Sequence, residues 1–192
     1  MCGRYVAEED TNMDLCALYR AVRANDPDIK LRSGEIYPTD TVPLLTGTRL
    51  IPTPASWGFP RYDGKGVVIN ARAETASEKI TFRHAFEKGR CIVPATGYFE
   101  WNTAKQKHRF TPTNHGIIYM AGLCRMTDDG LRFVILTTSS AAVNEAAAVH
   151  ARMPVLLHPT AVDNWMRNTE FAARYLREPA VGSVPMDCLR MG

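Results

Sequence analysis

A chain of 192 residues with 45% hydrophobic and 22% charged residues has an ordinary globular composition and enough length for a continuous core. Its formal net charge of +3 permits an anionic partner but does not require one, so composition alone does not indicate nucleic-acid binding. Residues 1–10 lack the apolar segment of a secretory signal, and no apolar run approaches the ~18 residues of a membrane span. We therefore expect a cytoplasmic protein without a membrane partner.

The five cysteines favour neither a metal site nor a disulfide framework. They occupy positions 2, 16, 91, 124 and 188, and no two have the Cys-x-x-Cys spacing of zinc or thioredoxin-like sites. Disulfide frameworks are also typical of shorter chains with an even number of cysteines. We expect reduced thiols, no bound metal and no cofactor.

The first predicted elements are a helix and a hairpin. Thr11 and Asp14 have the spacing of a capping box, and the apolar residues behind them repeat with helical periodicity, which predicts a helix over about 12–24. The stretch VPLLTGTRLIP predicts a hairpin that turns at Gly47.

Short strands dominate the rest of the chain. Runs rich in β-branched and aromatic residues predict strands at 66–70, 90–102, 116–126, 131–138 and 153–157, with a turn at Gly130. Helices are predicted from the capping box at Thr75 to Gly89, at 141–149 and at 160–176. Strands outnumber helices without alternating regularly with them, which predicts an α+β fold in one domain over residues 1–192.

Four short stretches contain groups capable of acid, base or nucleophilic chemistry: MCGR, INARAET, GYFEW and HARMP. Their reactive groups are Cys2, Asn70, Glu100 and His150. In three of the stretches an arginine follows two positions later: Arg4, Arg72 and Arg152. Residues i and i+2 of an extended strand share a face, so each polar group is expected beside a cation.

Glu100 is the most informative of these residues. Strand alternation sends Phe99 and Trp101 to the opposite face, which leaves a carboxylate within an otherwise apolar strand. Burial raises the pKa of such a group, as a general acid near neutral pH requires. A buried Glu–Arg structural pair accounts for the same spacing, and Cys2 or His150 taken alone is compatible with an incidental or structural role.

Two further stretches combine aromatic, proline, glycine or basic residues. PASWGFP places Trp57 and Phe59 on a loop where exposed rings could stack on bases, although core aromatics at a strand end fit the pattern equally well. The stretch KQKHR at 105–109 predicts a solvated hairpin tip.

A cysteine that becomes N-terminal carries an amine and a thiol on adjacent carbons. Together they can trap an aldehyde, because the amine forms an imine and the thiol closes on it to give a thiazolidine. While Met1 precedes Cys2, the Cys2 nitrogen is an amide whose lone pair is delocalised, so it cannot form an imine. This chemistry therefore requires the removal of Met1.

Taken together, these stretches resemble the SRAP family, named for SOS response-associated peptidase. The family carries Met-Cys-Gly-Arg, Trp-Gly, Asn-Ala-Arg-x-Glu-Thr, Gly-aromatic-aromatic-Glu-Trp and His-x-Arg-x-Pro segments, which occur here in the same order from residue 2 to about residue 157. The resemblance implies an α+β domain with a bent, barrel-like, mostly antiparallel β core, peripheral helices and a basic cleft.

The resemblance also implies a function, that of a sensor of abasic sites which binds single-stranded DNA and crosslinks to the abasic sugar. Carried over by motif, Cys2 is the nucleophile and Asn70 binds the reacting sugar and the N-terminal amine. Glu100 is the acid/base that opens the sugar ring, and His150 is the acid/base at the imine. We expect a monomer that removes Met1 by itself or with a processing peptidase.

The resemblance assigns four further residues to DNA: Arg4, Arg72 and Arg152 to phosphates, and Trp57 to stacking at the strand break. The sequence departs from the family at Phe59, where an aliphatic residue is common, and in its short KQKHR hairpin. These departures affect the stacking contacts rather than the chemistry.

Two other function classes stay open. A cysteine peptidase or N-terminal-nucleophile hydrolase acting on other substrates would use Cys2, His150 and Asn70. A non-covalent single-stranded DNA-binding module would need none of the reactive groups.

Overall fold

The computed structural model of the protein describes residues 2–141, 144–178 and 184–191. Within these ranges the strands are β1 Arg4–Ala7, β2 Gly34–Ile36, β3 Thr41–Thr46, β4 Ile51–Trp57, β5 Phe59–Pro60, β6 Val67–Val68, β7 Asn70–Arg72, β8 Arg90–Ala95, β9 Gly97–Trp101, β10 Lys107–Pro112, β11 Ile118–Thr127, β12 Gly130–Ser139, β13 Arg152–Pro154, β14 Leu156–Leu157 and β15 Met186–Arg190. The helices are α1 Met13–Asn25, α2 Ile80–Lys88, α3 Asn144–Val149, α4 Val162–Arg167 and α5 Thr169–Arg177.

Five strands close into a barrel. Strand β12 pairs with β11 on one side and with β4 on the other, and the circuit runs on through β3 and β8 back to β11. The β12–β4 pairing is parallel and the other four are antiparallel. A second, antiparallel sheet has the order β15-β10-β9-β1-β2. The predicted α+β fold with a barrel-like, mostly antiparallel β core is confirmed.

The middle of strand β12 is buried on both faces. Phe133 and Ile135 of β12 belong to a cluster that includes Tyr5 and Tyr98 of the second sheet. Their neighbours along β12 face a second apolar cluster, which helices α2, α4 and α5 cover. Successive residues of a strand point to opposite faces, so β12 is apolar on both faces over residues 133–136 and packs there against a sheet on one side and helices on the other.

The first helix and the first hairpin lie where the sequence predicts them. Helix α1 begins at Met13, but the side chain that caps it is Asn12, which accepts hydrogen bonds from the backbone N–H groups of Asp14 and Leu15. Strands β3 and β4 turn at Gly47, whose φ of 64° is the left-handed conformation that glycine tolerates. The Gly130 turn between β11 and β12 is confirmed as well.

The prediction that a capping box at Thr75 opens the second helix is wrong. The backbone carbonyl of Thr75 accepts hydrogen bonds from Glu78 and Lys79, which makes a turn there, and helix α2 starts only at Ile80. Gly89 ends this helix as predicted.

Two of the predicted strands are interrupted. The segment 66–70 contributes to β6 and β7, and the segment 90–102 divides into β8 and β9. The second break occurs because the chain passes from the barrel to the other sheet at Thr96, whose backbone N–H donates to the carbonyl of Val6.

The expected hairpin tip at 105–109 is largely a strand. Residues 107–109 belong to β10, which pairs with both β9 and β15. In the predicted helix at 141–149, residues 142 and 143 lie outside the described residues, and α3 covers 144–149. In the part of the chain that the structure describes, none of the helices combines the length and the apolar character that crossing a bilayer requires.

Candidate active site

The four predicted reactive residues come from both sheets. Cys2 lies just before β1, and Glu100 lies in β9, the neighbour of β1 in the second sheet. Asn70 is the first residue of β7, which pairs with β12 of the barrel, and His150 lies just before β13, which also pairs with β12. The site is therefore assembled where the second sheet packs against the barrel.

Cys2 is completely buried, and Asn70 holds its backbone. The Nδ2 atom of Asn70 donates to the carbonyl oxygen of Cys2 at 2.8 Å, a contact between residues 68 positions apart. The Oδ1 atom of Asn70 is buried and has no hydrogen-bond partner among the described residues. The thiol of Cys2 donates to the carbonyl of Arg4 at 3.5 Å, and burial, together with the charge of Glu100, raises the thiol pKa.

Glu100 has the environment that the sequence predicts. Its residue surface is only 2% exposed, and burial raises the carboxyl pKa from 4.5 to about 7. One carboxylate oxygen lies 3.9 Å from Nδ1 of His150. A carboxyl group with this pKa exchanges its proton readily near neutrality, which general acid–base catalysis requires.

The backbone around His150 fixes the orientation of its ring. Nδ1 of His150 lies 3.0 Å from the backbone nitrogen of Arg152 and 3.1 Å from the carbonyl oxygen of the same residue, and these two contacts hold the ring in place. The His150 backbone N–H continues helix α3 by donating to the carbonyl of Ala146. The ring is half-buried, with 31% of the side chain exposed, and can therefore meet a ligand.

Arg4 lies in a cluster of cations and rings. Oε1 of Glu35 accepts hydrogen bonds from Nη1 of Arg4 at 3.0 Å and from Nζ of Lys107 at 2.7 Å. The Arg4 guanidinium also lies over the Tyr37 ring at 4.4 Å and the Trp101 ring at 5.3 Å. These contacts hold the Arg4 guanidinium in one position, with a third of its side chain exposed.

Arg152 and Arg72 differ in their partners. Arg152 forms a bidentate ion pair with Glu74, in which Nη1 lies 2.5 Å from Oε1 and Nη2 lies 3.0 Å from Oε2. Its guanidinium also donates to the backbone carbonyl of Thr137. These hydrogen bonds hold the pKa of Glu74 below its usual value. Arg72 is exposed on β7, next to Thr137 in register and near enough to Glu74 to lower its pKa further.

The expected stacking role of Trp57 is contradicted by its burial. The side chain has no exposed surface, its Nε1 donates to the carbonyl of Ile69, and its ring packs between Tyr5 and Phe133. A ring enclosed in this way cannot stack on a base, so the core alternative is correct for Trp57. Phe59 is buried as well.

The exposed ring of this region is Tyr62, which the sequence interpretation missed. It lies in the 61–66 turn between β5 and β6 and is fully exposed, beside the cations Arg61 and Lys65. The sequence signal was the combination Arg-Tyr-Asp-Gly-Lys, an aromatic residue within a charged turn. Among the described residues, no group of three or more His, Cys, Asp or Glu side chains is placed to hold a metal ion.

The geometry agrees with the family that the motifs resemble. A sequence model of the SOS response associated peptidase (SRAP) family matches residues 1–190. The chain belongs to the SRAP family. Abasic site processing protein YedK of Escherichia coli (strain K12) is 29% identical over 198 residues, which cover 96% of this chain and 88% of YedK. Abasic site processing protein YoqW of Bacillus subtilis (strain 168) is 34% identical over 112 residues, which cover 54% of this chain and 50% of YoqW.

Solved structures share the SRAP fold of this chain. A crystal structure of a Bordetella bronchiseptica protein superposes with a TM-score of 0.76 at 20% identity and covers all of both chains. One of a Bacteroides thetaiotaomicron protein has a TM-score of 0.76 at 22% identity, covering 100% of this chain and 92% of the other. These similarities establish the arrangement of barrel, second sheet and helices.

Replacing Glu100 by Gln should change how the stability of this SRAP protein depends on pH. Because the pKa of Glu100 is 4.5 in an unfolded chain and about 7 in the fold, the folded state holds a proton that the unfolded state releases, and stability falls as pH rises through this window. Gln cannot ionise, so the free energy of unfolding of Glu100→Gln relative to wild type should rise by about 2–3 kcal/mol between about pH 5 and about pH 8.

Denaturant unfolding of both proteins at the two pH values measures this change. Glu170→Gln, on the exposed surface of α5, is the matched control for replacing a carboxylate by an amide. An equal stability difference between Glu100→Gln and wild type at both pH values would contradict the raised pKa.

Proposed function

We propose that this protein processes abasic sites in DNA by covalent capture, in which Cys2 forms a thiazolidine with the aldehyde of the abasic sugar. The observation that carries the proposal is the placement of a buried cysteine thiol, an amide and a carboxyl group of pKa about 7 around one point. The names of the relatives YedK and YoqW, abasic site processing proteins, support this choice of substrate.

The first step is the opening of the sugar ring. An abasic sugar exists mostly as a closed hemiacetal, whose hydroxyl proton must leave while the ring oxygen gains one. A carboxyl group with a pKa of about 7 is divided between its two protonation states near neutrality, so Glu100 suits both transfers. The neighbouring His150 ring, 3.9 Å from the carboxylate, can then take or return a proton at the imine.

Capture then forms two bonds from Cys2 to the aldehyde carbon, one from the amine nitrogen and one from the thiol sulfur. The amine adds to the carbonyl and water leaves, which gives an imine; the thiol sulfur adds to the same carbon, and its proton ends on the former imine nitrogen. Asn70 holds the Cys2 carbonyl, and its buried Oδ1 is available to accept a hydrogen bond from the freed amine or from a sugar hydroxyl. Because burial raises the thiol pKa, the thiol stays protonated until a base takes the proton.

Single-stranded DNA is the substrate that fits this chemistry best, because the reacting sugar must reach a buried cysteine. Arg72 offers an exposed guanidinium two residues from Asn70, and Arg4 and Arg152 lie two residues from Cys2 and His150. Phosphate contacts of this kind position a backbone without reading its sequence, as a lesion without a base requires. Tyr62, in the turn between β5 and β6, is the candidate for stacking on a base, since its ring is exposed.

Replacing Cys2 by Ala should abolish the denaturation-resistant adduct while leaving DNA affinity within a few-fold of wild type. Phosphate contacts supply most of the affinity for single-stranded DNA, and these do not involve the thiol. The measurements are intact mass after incubation with an abasic oligonucleotide, and equilibrium binding to the same strand.

Cys16→Ser, a change in α1, is the matched control and should crosslink normally. Undiminished adduct on Cys2→Ala would place the nucleophile elsewhere. Cleavage of unrelated peptides without any adduct would favour the peptidase alternative, and unchanged DNA behaviour in both variants would favour a non-covalent binding module.

Protein that retains Met1, or carries an N-terminal extension, should bind single-stranded DNA normally but form no stable adduct. The Cys2 nitrogen is then an amide, which cannot form an imine, and the thiol alone gives only a labile hemithioacetal. Met1 itself lies outside the described residues, and its removal by the protein or by a processing peptidase has the same consequence.

Intact-mass analysis of the trimmed and untrimmed forms with abasic DNA tests this requirement. Trimming to a free Cys2 should restore capture, with a pH dependence that reports deprotonation of the amine. A stable one-to-one adduct on molecules that still carry Met1 would exclude the thiazolidine mechanism.

Arg72→Ala should weaken binding to single-stranded DNA and lower the slope of log K against log[salt] by roughly 0.7, the value for one lost phosphate contact. Arg72 is chosen because it is exposed and two residues from Asn70. Arg49→Ala, an exposed arginine in the turn between β3 and β4, is the matched control and should leave the slope unchanged. An identical slope for Arg72→Ala and wild type would show that this guanidinium does not contact phosphate.

A further inference from the structure

A second pair of thiols is present in the barrel wall. Cys91 lies in β8 and Cys124 in the adjacent antiparallel strand β11, where Gly122 stands opposite Cys91. Cys124 is two residues from Gly122 and therefore points to the same face as Cys91. The two thiols are close enough for each to affect the pKa of the other.

Two glycines provide the room that brings these thiols together. A Cβ atom on Gly122 would lie 2.9 Å from the Cys91 sulfur, so a larger residue would displace the thiol. A Cβ atom on Gly89 would lie 2.1 Å from the carbonyl oxygen of Cys124, whose own N–H donates to the carbonyl of Gly89 at 2.6 Å. The two strands thus approach closely at the position of the thiol pair.

The two thiols differ in their access to solvent. Cys91 has no exposed surface, whereas Cys124 lines a cavity of about 380 Å³ between β11, the β3–β4 hairpin and the end of α2. The interaction with Cys91 lowers the pKa of Cys124, while burial raises the pKa of Cys91. The accessible thiol is therefore also the one that ionises more readily, which makes it the better nucleophile.

We propose that Cys91 and Cys124 form a redox pair, in which a small peroxide oxidises Cys124 through the cavity and Cys91 completes a disulfide. The Cys124 thiolate attacks one peroxide oxygen and the O–O bond breaks; the sulfur becomes a sulfenic acid, and the other oxygen leaves as hydroxide and takes up a proton. The Cys91 sulfur then attacks the Cys124 sulfur, the S–O bond breaks, and water leaves as the disulfide forms. A dithiol reductant reverses the oxidation and is itself oxidised to a disulfide.

This pair has a consequence for Cys2. The Cys2 thiol is completely buried and its pKa is raised, so it reacts with peroxide far more slowly than a thiol that faces a cavity. Oxidation at Cys124 therefore precedes oxidation of Cys2.

The test uses the folded protein in a Cys16→Ser/Cys188→Ser background, which retains only Cys2, Cys91 and Cys124 of the five cysteines. It is treated with limiting hydrogen peroxide, then alkylated in denaturant so that every remaining free thiol reacts, and mapped by peptide mass spectrometry. The expected result is the loss of two of the three free thiols, a linked Cys91–Cys124 peptide, full alkylation of Cys2, and recovery of both thiols with dithiothreitol.

Adding Cys91→Ser removes the resolving thiol and should leave Cys124 as a sulfenic acid that dimedone traps. Three results would overturn the proposal: oxidation of Cys2 before Cys124, dimedone trapping at Cys124 while Cys91 is present and no disulfide forms, or three free thiols after treatment. The linked peptide is measured in protein that retains Cys91, so the outcome does not depend on how well the Cys91→Ser variant folds.

Discussion

The pairing of strand β12 is the constraint on which both the fold and the site depend. It closes the barrel through β11 and β4, and along its length it also pairs with β7 and β13. Asn70 stands opposite Ile135, and Arg152 stands opposite Ser139, so one strand sets the spacing between the amide and the segment that holds the imidazole. A one-residue slip would exchange the two faces of β12, each of which packs against a different apolar cluster, and this fixes the register.

The packing of the second sheet against the barrel determines the electrostatics of the site. It removes water from Cys2 and Glu100 together, and burial raises the pKa of both groups. A negative charge on Glu100 raises the thiol pKa further, so the two groups resist carrying a negative charge at the same time. A pair of this kind favours passing one proton between groups over accumulating charge, which suits the proposed capture, in which protons leave and join the oxygen, nitrogen and sulfur atoms bonded to one carbon.

Local sequence signals predicted the elements whose structure depends on near neighbours. Helix α1, the hairpin at Gly47 and the β11–β12 turn at Gly130 each follow from periodicity or from a residue that tolerates positive φ. The raised pKa of Glu100 was also predicted, because alternation within one strand is enough to indicate burial.

The elements that were missed depend on distant contacts. Nothing local marks Thr96 as the point where the chain leaves the barrel for the other sheet, since its partner is Val6, 90 residues away. Trp57 is likewise buried by Tyr5 and Phe133, from two other strands, whereas its own stretch PASWGFP fits an exposed ring and a core aromatic equally well. The convergence of the four reactive residues followed from the family's motifs, because spacing along the chain does not determine which sheets meet.

The ion pairs of the arginines bear on how this surface could attract DNA. Arg4 and Lys107 share the single carboxylate of Glu35, and Arg152 and Arg72 lie around the single carboxylate of Glu74, so each group of three charges keeps a net charge of +1. The carboxylates therefore position the guanidinium groups without cancelling the positive potential on either side of the site. A side chain held in advance loses less conformational freedom when a phosphate binds than a free arginine does. Such positioned cations suit a ligand whose sugar must reach a buried cysteine, because the place at which the backbone binds also sets where the lesion lies.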